Sequence, residues 1–193
     1  MEASIDYRKH SCGLRDRWGT GDVYFNQLQP VPPTSIKGSV DVATLMGKLA
    51  AGMGYTFENN GVSVQVSNPY LSNTALEQAK ALAKMAGVDL YVDDTVLAIT
   101  PANTPRMQTI IPQVSALSGL KGYPTFDGVG VHFETLFNPA ITFGGSVELV
   151  TAIPQANGQW IGTSTAHQLE SEKPGGAWFS MVRGNKSGLA ITG

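Results

Sequence analysis

Three histidines, one cysteine and fifteen acidic residues are the groups in this 193-residue chain on which acid–base, nucleophilic or metal chemistry could be built. His132-Phe133-Glu134 matches the first half of a zinc-deaminase signature. That chemistry also needs a downstream Pro-Cys-x-x-Cys to complete the metal site. The only cysteine, Cys12, lies upstream. On a strand, residues two apart share a face, so His132 and Glu134 read as a polar pair beside a neighbouring strand. His167 and Glu170 lack the second histidine of a His-Glu-x-x-His zinc helix, and their surroundings alternate as a strand does. We therefore expect His167 to be a strand residue hydrogen-bonded to a neighbour. His10 and Cys12 supply two ligands where a structural zinc takes four, and they read as part of a solvated tail.

Nucleophile and phosphate motifs are incomplete as well. Gly162-Thr163-Ser164-Thr165-Ala166 lacks the second glycine of an esterase elbow and falls inside a predicted strand, not at a strand-to-helix turn. No Gly-x-Gly-x-x-Gly or Gly-Lys-Ser/Thr occurs. Asp89, Asp93 and Asp94 form an acidic group without the ligand spacing of a calcium loop, and a hairpin turn accounts for them. Trp160, Trp178 and Phe179 could form a carbohydrate platform, but barrel cores and subunit interfaces use the same residues. We assign no catalytic, cofactor-binding or metal-ligating residue and expect no cofactor. By elimination, function rests on surfaces whose residues the sequence leaves unidentified. Two other readings stay open. One is a cell-wall-degrading enzyme drawing on His132, Glu134, Glu148 or Glu170. The other is a glycan- or peptide-binding module using Trp160 and Trp178.

Composition points the same way. Hydrophobic residues make up 42% of the chain and charged residues 15%, against roughly 25% charged in an ordinary soluble domain. Such a surface fits a subunit whose faces are covered by partners, because interface cores are depleted of charge. Thirteen Lys and Arg stand against fifteen Asp and Glu, for a net charge of −2. With no basic patch to neutralise phosphates, we expect no nucleic-acid partner. A single cysteine allows no internal disulfide and suits a reducing compartment. No apolar run approaches the roughly 18 residues that span a bilayer, and the polar start is no signal peptide, so no membrane insertion is expected.

The elements that would carry these surfaces fall into three stretches. Residues 1–34 mix charge, glycine and the run Pro30, Pro32, Pro33, and read as an irregular N-terminal arm. Residues 35–102 read as an α+β module of two α-β-β units offset by 33 residues, aligning Gly54 with Gly87. In the first, Asp41 caps a helix carrying Val42, Leu45, Met46, Leu49, Ala50 and Met53 on one face, and Gly54 ends it. Asn60-Gly61 then predicts a hairpin between strands at 55–57 and 62–66. In the second, Thr74-x-x-Glu77 is a capping box, Leu76, Ala79, Leu82, Ala83 and Ala86 form the apolar face, and strands at 90–92 and 96–99 flank the turn Asp93-Asp94. A linker at Pro101–Pro105 leads into residues 103–193. Alternating runs at 129–137, 140–143, 146–151, 160–169 and 177–182, separated by turns such as Asn138-Pro139 and Pro174-Gly175-Gly176, predict an antiparallel β-barrel or sandwich there. The fold class expected is α+β, a small α-β-β module followed by an antiparallel barrel-like domain.

Several stretches together resemble the tail or baseplate hub proteins of contractile-tailed bacteriophages, which are related to the hub part of type VI secretion spikes. The residues that carry the likeness are Pro33-Thr34-Ser35-Ile36-Lys37-Gly38-Ser39-Val40-Asp41-Val42-Ala43 leading into the first helix, Gly122-Tyr123-Pro124, Leu136-Phe137-Asn138-Pro139 and Gly144-Gly145. His167-Gln168-Leu169-Glu170-Ser171 followed by Pro174-Gly175-Gly176-Ala177-Trp178-Phe179 completes the order, over about residues 33–183. The resemblance implies a non-enzymatic virion subunit, assembled in the bacterial host cytoplasm. It implies a homotrimer around the tail axis that joins the tail tube to the central spike and surrounds the end of the tape measure. The family carries a longer region with another barrel-like domain ahead of this point, and residues 1–32 do not look like it. More weakly, the α-β-β repeat is similar to the short N-terminal modules of secretins and TonB-type receptors, a likeness of fold only.

Overall fold

A computed structural model describes residues 5–7, 30–128 and 130–186. These fall into two units, residues 30–104 and residues 5–7 with 105–186. Among the described residues the chain is mostly β, with two α-helices and a nearly closed barrel-like sheet. The first strand, β1 (Ile5–Tyr7), belongs to the second unit. The rest of the expected arm, with His10 and Cys12, lies outside the described residues until Pro30.

Both helices form where the sequence supplies caps. In α1 (Val42–Met53) the Asp41 carboxylate accepts from the Thr44 backbone N–H at 2.8 Å, and Gly54 takes a left-handed φ of 77° that lets its N–H reach the last carbonyls. In α2 (Ala75–Ala86) Thr74 Oγ1 accepts from the Glu77 N–H, and Gly87 closes the end at φ 65°. The buried face of α1 is the expected one. That of α2 is Ala75, Gln78, Ala79, Leu82 and Ala83, so it includes a glutamine and leaves Leu76 only partly buried.

The strands of this unit pair differently from two hairpins. β4 (Thr56–Asn59) runs parallel to β8 (Val96–Pro101), which pairs antiparallel with β7 (Val88–Asp93), in the order β4-β8-β7. β3 (Ser39–Asp41) pairs with β5 (Gln65–Ser67), and β2 (Thr34–Ser35) with β6 (Tyr70–Leu71). Asn60-Gly61 is therefore a loop and not the turn of a hairpin. The Asn59 side chain closes that loop on both the N–H and the carbonyl of Val62, at 2.8 and 3.0 Å. Only the second expected α-β-β unit has its hairpin, turning at Asp94-Thr95. The helices pack on each other and on the sheet around Met46, Met53, Leu82, Leu97 and Ile99. Each such fully buried side chain contributes about 1.5–3 kcal/mol.

In the second unit the path is β10 (Leu120–Phe126), β11 (Val131–Leu136), β14 (Trp178–Lys186), β13 (Gly158–Leu169), β12 (Ser146–Val150), β9 (Gln113–Ser115), with β1 beside the far end of β13. The two ends of the path, β9 and β10, follow each other in the chain and are joined by residues 116–119. That short join brings the sheet's edges together and nearly closes the barrel. The expected all-antiparallel pattern has one exception, because β9 and β12 run parallel. The expected strand at Ala140–Phe143 is two tight turns, with Ile141 N–H donating to Asn138 O and Gly145 N–H to Thr142 O. Ile141 still reaches the core, beside Val131, Phe133, Leu149, Trp160 and Val182.

Candidate interaction surface

Alternation along the barrel strands decides which side chains face out. On β11, Val131, Phe133 and Thr135 are buried, so His132, Glu134 and Leu136 face outward. Their partners on β14 are Arg183, Met181 and Phe179, and on β10 Glu134 stands beside Lys121 and His132 beside Thr125. Of these, Lys121, Thr125, His132, Glu134, Met181 and Arg183, together with Tyr123 and Ser164, line a shallow groove of about 520 Å³ on the outer wall.

Every formal charge on this wall has a partner within it. Lys121 Nζ lies 2.9 Å from Glu134 Oε1 and 3.8 Å above the centre of the Phe179 ring. Asp127 Oδ2 takes both His132 Nε2, at 2.6 Å, and the Arg183 guanidinium. Its Oδ1 accepts the Gly130 N–H at 2.7 Å, which closes the β10–β11 loop and aims the carboxylate back across the sheet. All of these side chains are a third to a half exposed, so each pair adds at most about 1 kcal/mol. What they do is cancel charge: one lysine and one arginine face one glutamate and one aspartate. Between them stand Tyr123 at 74%, Leu136 at 54% and Met181 at 45% exposure. Large apolar side chains set among internally neutralised charges make a surface that loses little when water leaves, which is the composition of an interface core.

His132 and Glu134 do share a face, as the alternation predicts, but they contact different partners. Glu148 is on β12, separated from β11 by β14 and β13, where it accepts from Gln113 Nε2 at 3.1 Å. Glu170 caps the β13–β14 hairpin, taking the Ala177 N–H at 3.0 Å. The four acidic and basic groups open to an enzyme reading are therefore spread over the barrel. His167 Nδ1 lies 2.8 Å from Ser180 Oγ on the adjacent strand, the neighbour bond expected of it. Asp89 accepts the Asn103 N–H, a turn role. Among the described residues no group of three or more His, Cys, Asp or Glu is placed to hold a metal ion.

The aromatics divide between inside and outside. Trp160 is buried and donates its Nε1 to Ala156 O at 2.8 Å. Trp178 is half exposed and donates to Glu170 O at 2.9 Å. Trp178 pairs with Leu169, nine residues along β13 from Trp160, which at a strand's rise is about 30 Å. They form no common platform. Sequence reasoning missed Lys121, Asp127, Met181 and Arg183. For Met181 and Arg183 the signal was the alternation at 179, 181 and 183, opposite in phase to the buried Ser180, Val182 and Gly184.

A family model described as Baseplate hub gp41 matches residues 33–175, more than half of the chain. No curated protein matches it. Among solved structures, the chain is similar to the tail protein from Neisseria meningitidis MC58, with a TM-score of 0.60 and 9% identity over 86% of this chain and 73% of that one. It is also similar to the 43 kDa tail protein of prophage MuSo2 from Shewanella oneidensis, with a TM-score of 0.59 and 11% identity over 87% of this chain and 69% of that one. At such identities these two likenesses concern the fold alone.

Proposed function

The chain belongs to the baseplate hub gp41 family, structural proteins of the phage tail, and from that premise we propose that it is a hub subunit that joins the tail tube to the central spike. Three copies surround the tail axis and the end of the tape measure. The barrels form the collar, and their outer walls meet neighbouring subunits. The α+β unit decorates the collar or binds the next ring. It works without catalysis, through its surfaces alone.

The family match over residues 33–175 carries this reading. The neutral, apolar-rich wall around Tyr123 and Met181 supports it, since a surface of this kind suits burial against protein. Closed rotational symmetry is the usual solution for identical subunits. The test is native mass spectrometry of the full chain, alone and mixed with the tube and spike proteins of the same phage. We expect a trimer, and a complex with one or both partners. A strict monomer at high concentration that binds neither overturns the proposal. Clearing of bacterial cell walls that disappears with Glu134→Gln would favour an enzyme instead.

A further inference from the structure

We propose that residues 30–36 form a strap that opens separately from the rest of the α+β unit, with Gln78 as its latch. The strap contains Pro30, Pro32 and Pro33, positions with no N–H to give to a sheet. Its backbone attachment is correspondingly thin. Two residues pair with β6, Pro30 bridges to Thr74, Val31 N–H donates to Asn73 O at 3.4 Å, and Ile36 N–H donates to Pro69 O at 3.1 Å.

A side chain supplies what the backbone lacks. Gln78 is 0% exposed on the apolar face of α2. Its Oε1 accepts the Thr34 hydroxyl at 2.8 Å, and its Nε2 donates to Pro32 O and Asn73 O, both at 3.2 Å. A buried carboxamide is tolerated only while these partners are in place, so burial of Gln78 and closure of the strap depend on each other. Water satisfies the same group when the strap lifts. A groove of about 320 Å³ is lined on one side by Val31, Pro32 and Ile36 of the strap and on the other by Leu45 and Leu49 of α1, so the strap leaves space beside that helix unfilled. Val31 and Ile36 are only partly buried, whereas Met46, Met53 and Leu82 beneath are fully so. Few contacts over an incompletely filled groove mark an element that opens at lower free energy than its core. The two states differ in whether residues 30–36 are held on this unit, whatever the protein assembles with.

Hydrogen exchange of the full chain, read amide by amide, tests this. In the parent protein, after correction for intrinsic rates, Val31 and Ile36 exchange faster than Leu82 and Ala83 of α2. In Gln78→Ala the strap amides exchange about ten- to a hundredfold faster again, the effect of losing one or two net hydrogen bonds, while Leu82 and Ala83 stay within about twofold. Thr34→Val removes one latch bond from the strap side and leaves the helix face intact, so it answers the question even if Gln78→Ala does not fold. Equal rates for strap and helix in the parent overturn the proposal. So does Thr34→Val leaving Val31 and Ile36 unchanged, or accelerating Leu82 along with them.

Discussion

Gly130→Ala reads out how closely β11 and β14 approach each other. A Cβ at position 130 would overlap the Gly184 carbonyl oxygen and come within 2.6 Å of Asn185 Oδ1. Both atoms belong to β14, whose Gly184 lies opposite Val131, and a backbone carbonyl cannot rotate away as a side chain can. Inserting one methyl into a packed site costs about 1–3 kcal/mol, and the rigid obstacle here places the cost near 3. For a folding unit of this size each kcal/mol lowers the melting temperature by about 4–8 °C, so the change predicts a loss of roughly 12–24 °C. The same shift pulls Asp127 from its Gly130 contact and loosens the wall it organises. Gly128→Ala is the matched control: a Cβ there meets nothing within 4 Å, and an effect within about 0.5 kcal/mol is expected. Thermal unfolding followed by far-ultraviolet circular dichroism separates the two. If Gly130→Ala melts within about 2 °C of the parent, well under what one kcal/mol would produce, the close approach is not real and the geometry of the wall must be redrawn.

Three further outcomes follow from individual side chains. Hydrogen bonds from the Thr44 hydroxyl and N–H hold the Asp41 carboxyl below its ordinary value. Its capping contribution is therefore complete above the unfolded carboxylate value of about 3.9 and lost as pH falls through the lower folded value. Replacing it with Asn should remove that part of the acid dependence in a pH series of melts. Burial, and then the Asp94 charge, raise the Tyr55 phenol above its usual range. The unfolded chain then ionises first, so stability is full below about pH 10 and declines as pH rises through the folded value. Tyr55→Phe should flatten that alkaline limb, and an unchanged limb would count against the assignment. On the outer wall, Met181→Asp places an unpaired anion on a half-exposed site beside Glu134. It should leave the melting temperature nearly unchanged yet weaken subunit association at least tenfold in sedimentation measurements, a cost of about 1.4 kcal/mol, in line with the several kcal/mol that like charges cost at interfaces. Full association by this variant would remove the wall from the contact.

Local signals carried far where the physics is local. Asp41 with Gly54, and Thr74 with Gly87, mark both helices because caps and left-handed glycines act within one turn. Long strands with clean alternation, at 131–136 and 146–150, were equally visible. The failures came where a distant partner decided. Asn60-Gly61 carries a hairpin signal, yet β4 finds β8 some forty residues on and pairs with it in parallel, a choice no short window contains. β9 and β10 were hidden because Pro112, Gly119, Gly122 and Pro124 interrupt their pattern, although closure of the barrel still accommodates them as strands. Gln78 was the most informative oversight. A polar residue at a core-facing position of a capped helix signals a buried partner, and here that partner is a proline-rich strap with few donors of its own. The candidate site itself was legible only as an exclusion of chemistry, since the wall is assembled from single outward residues on β10, β11 and β14.

Electron cryo-microscopy of intact tails of the phage that carries this protein tests the central claim most directly. The account predicts density for this fold in three copies around the axis, between the tube and the spike, with the wall bearing Tyr123 and Met181 covered by a neighbouring subunit. Its absence from purified tails, or a position away from that junction, would contradict the account.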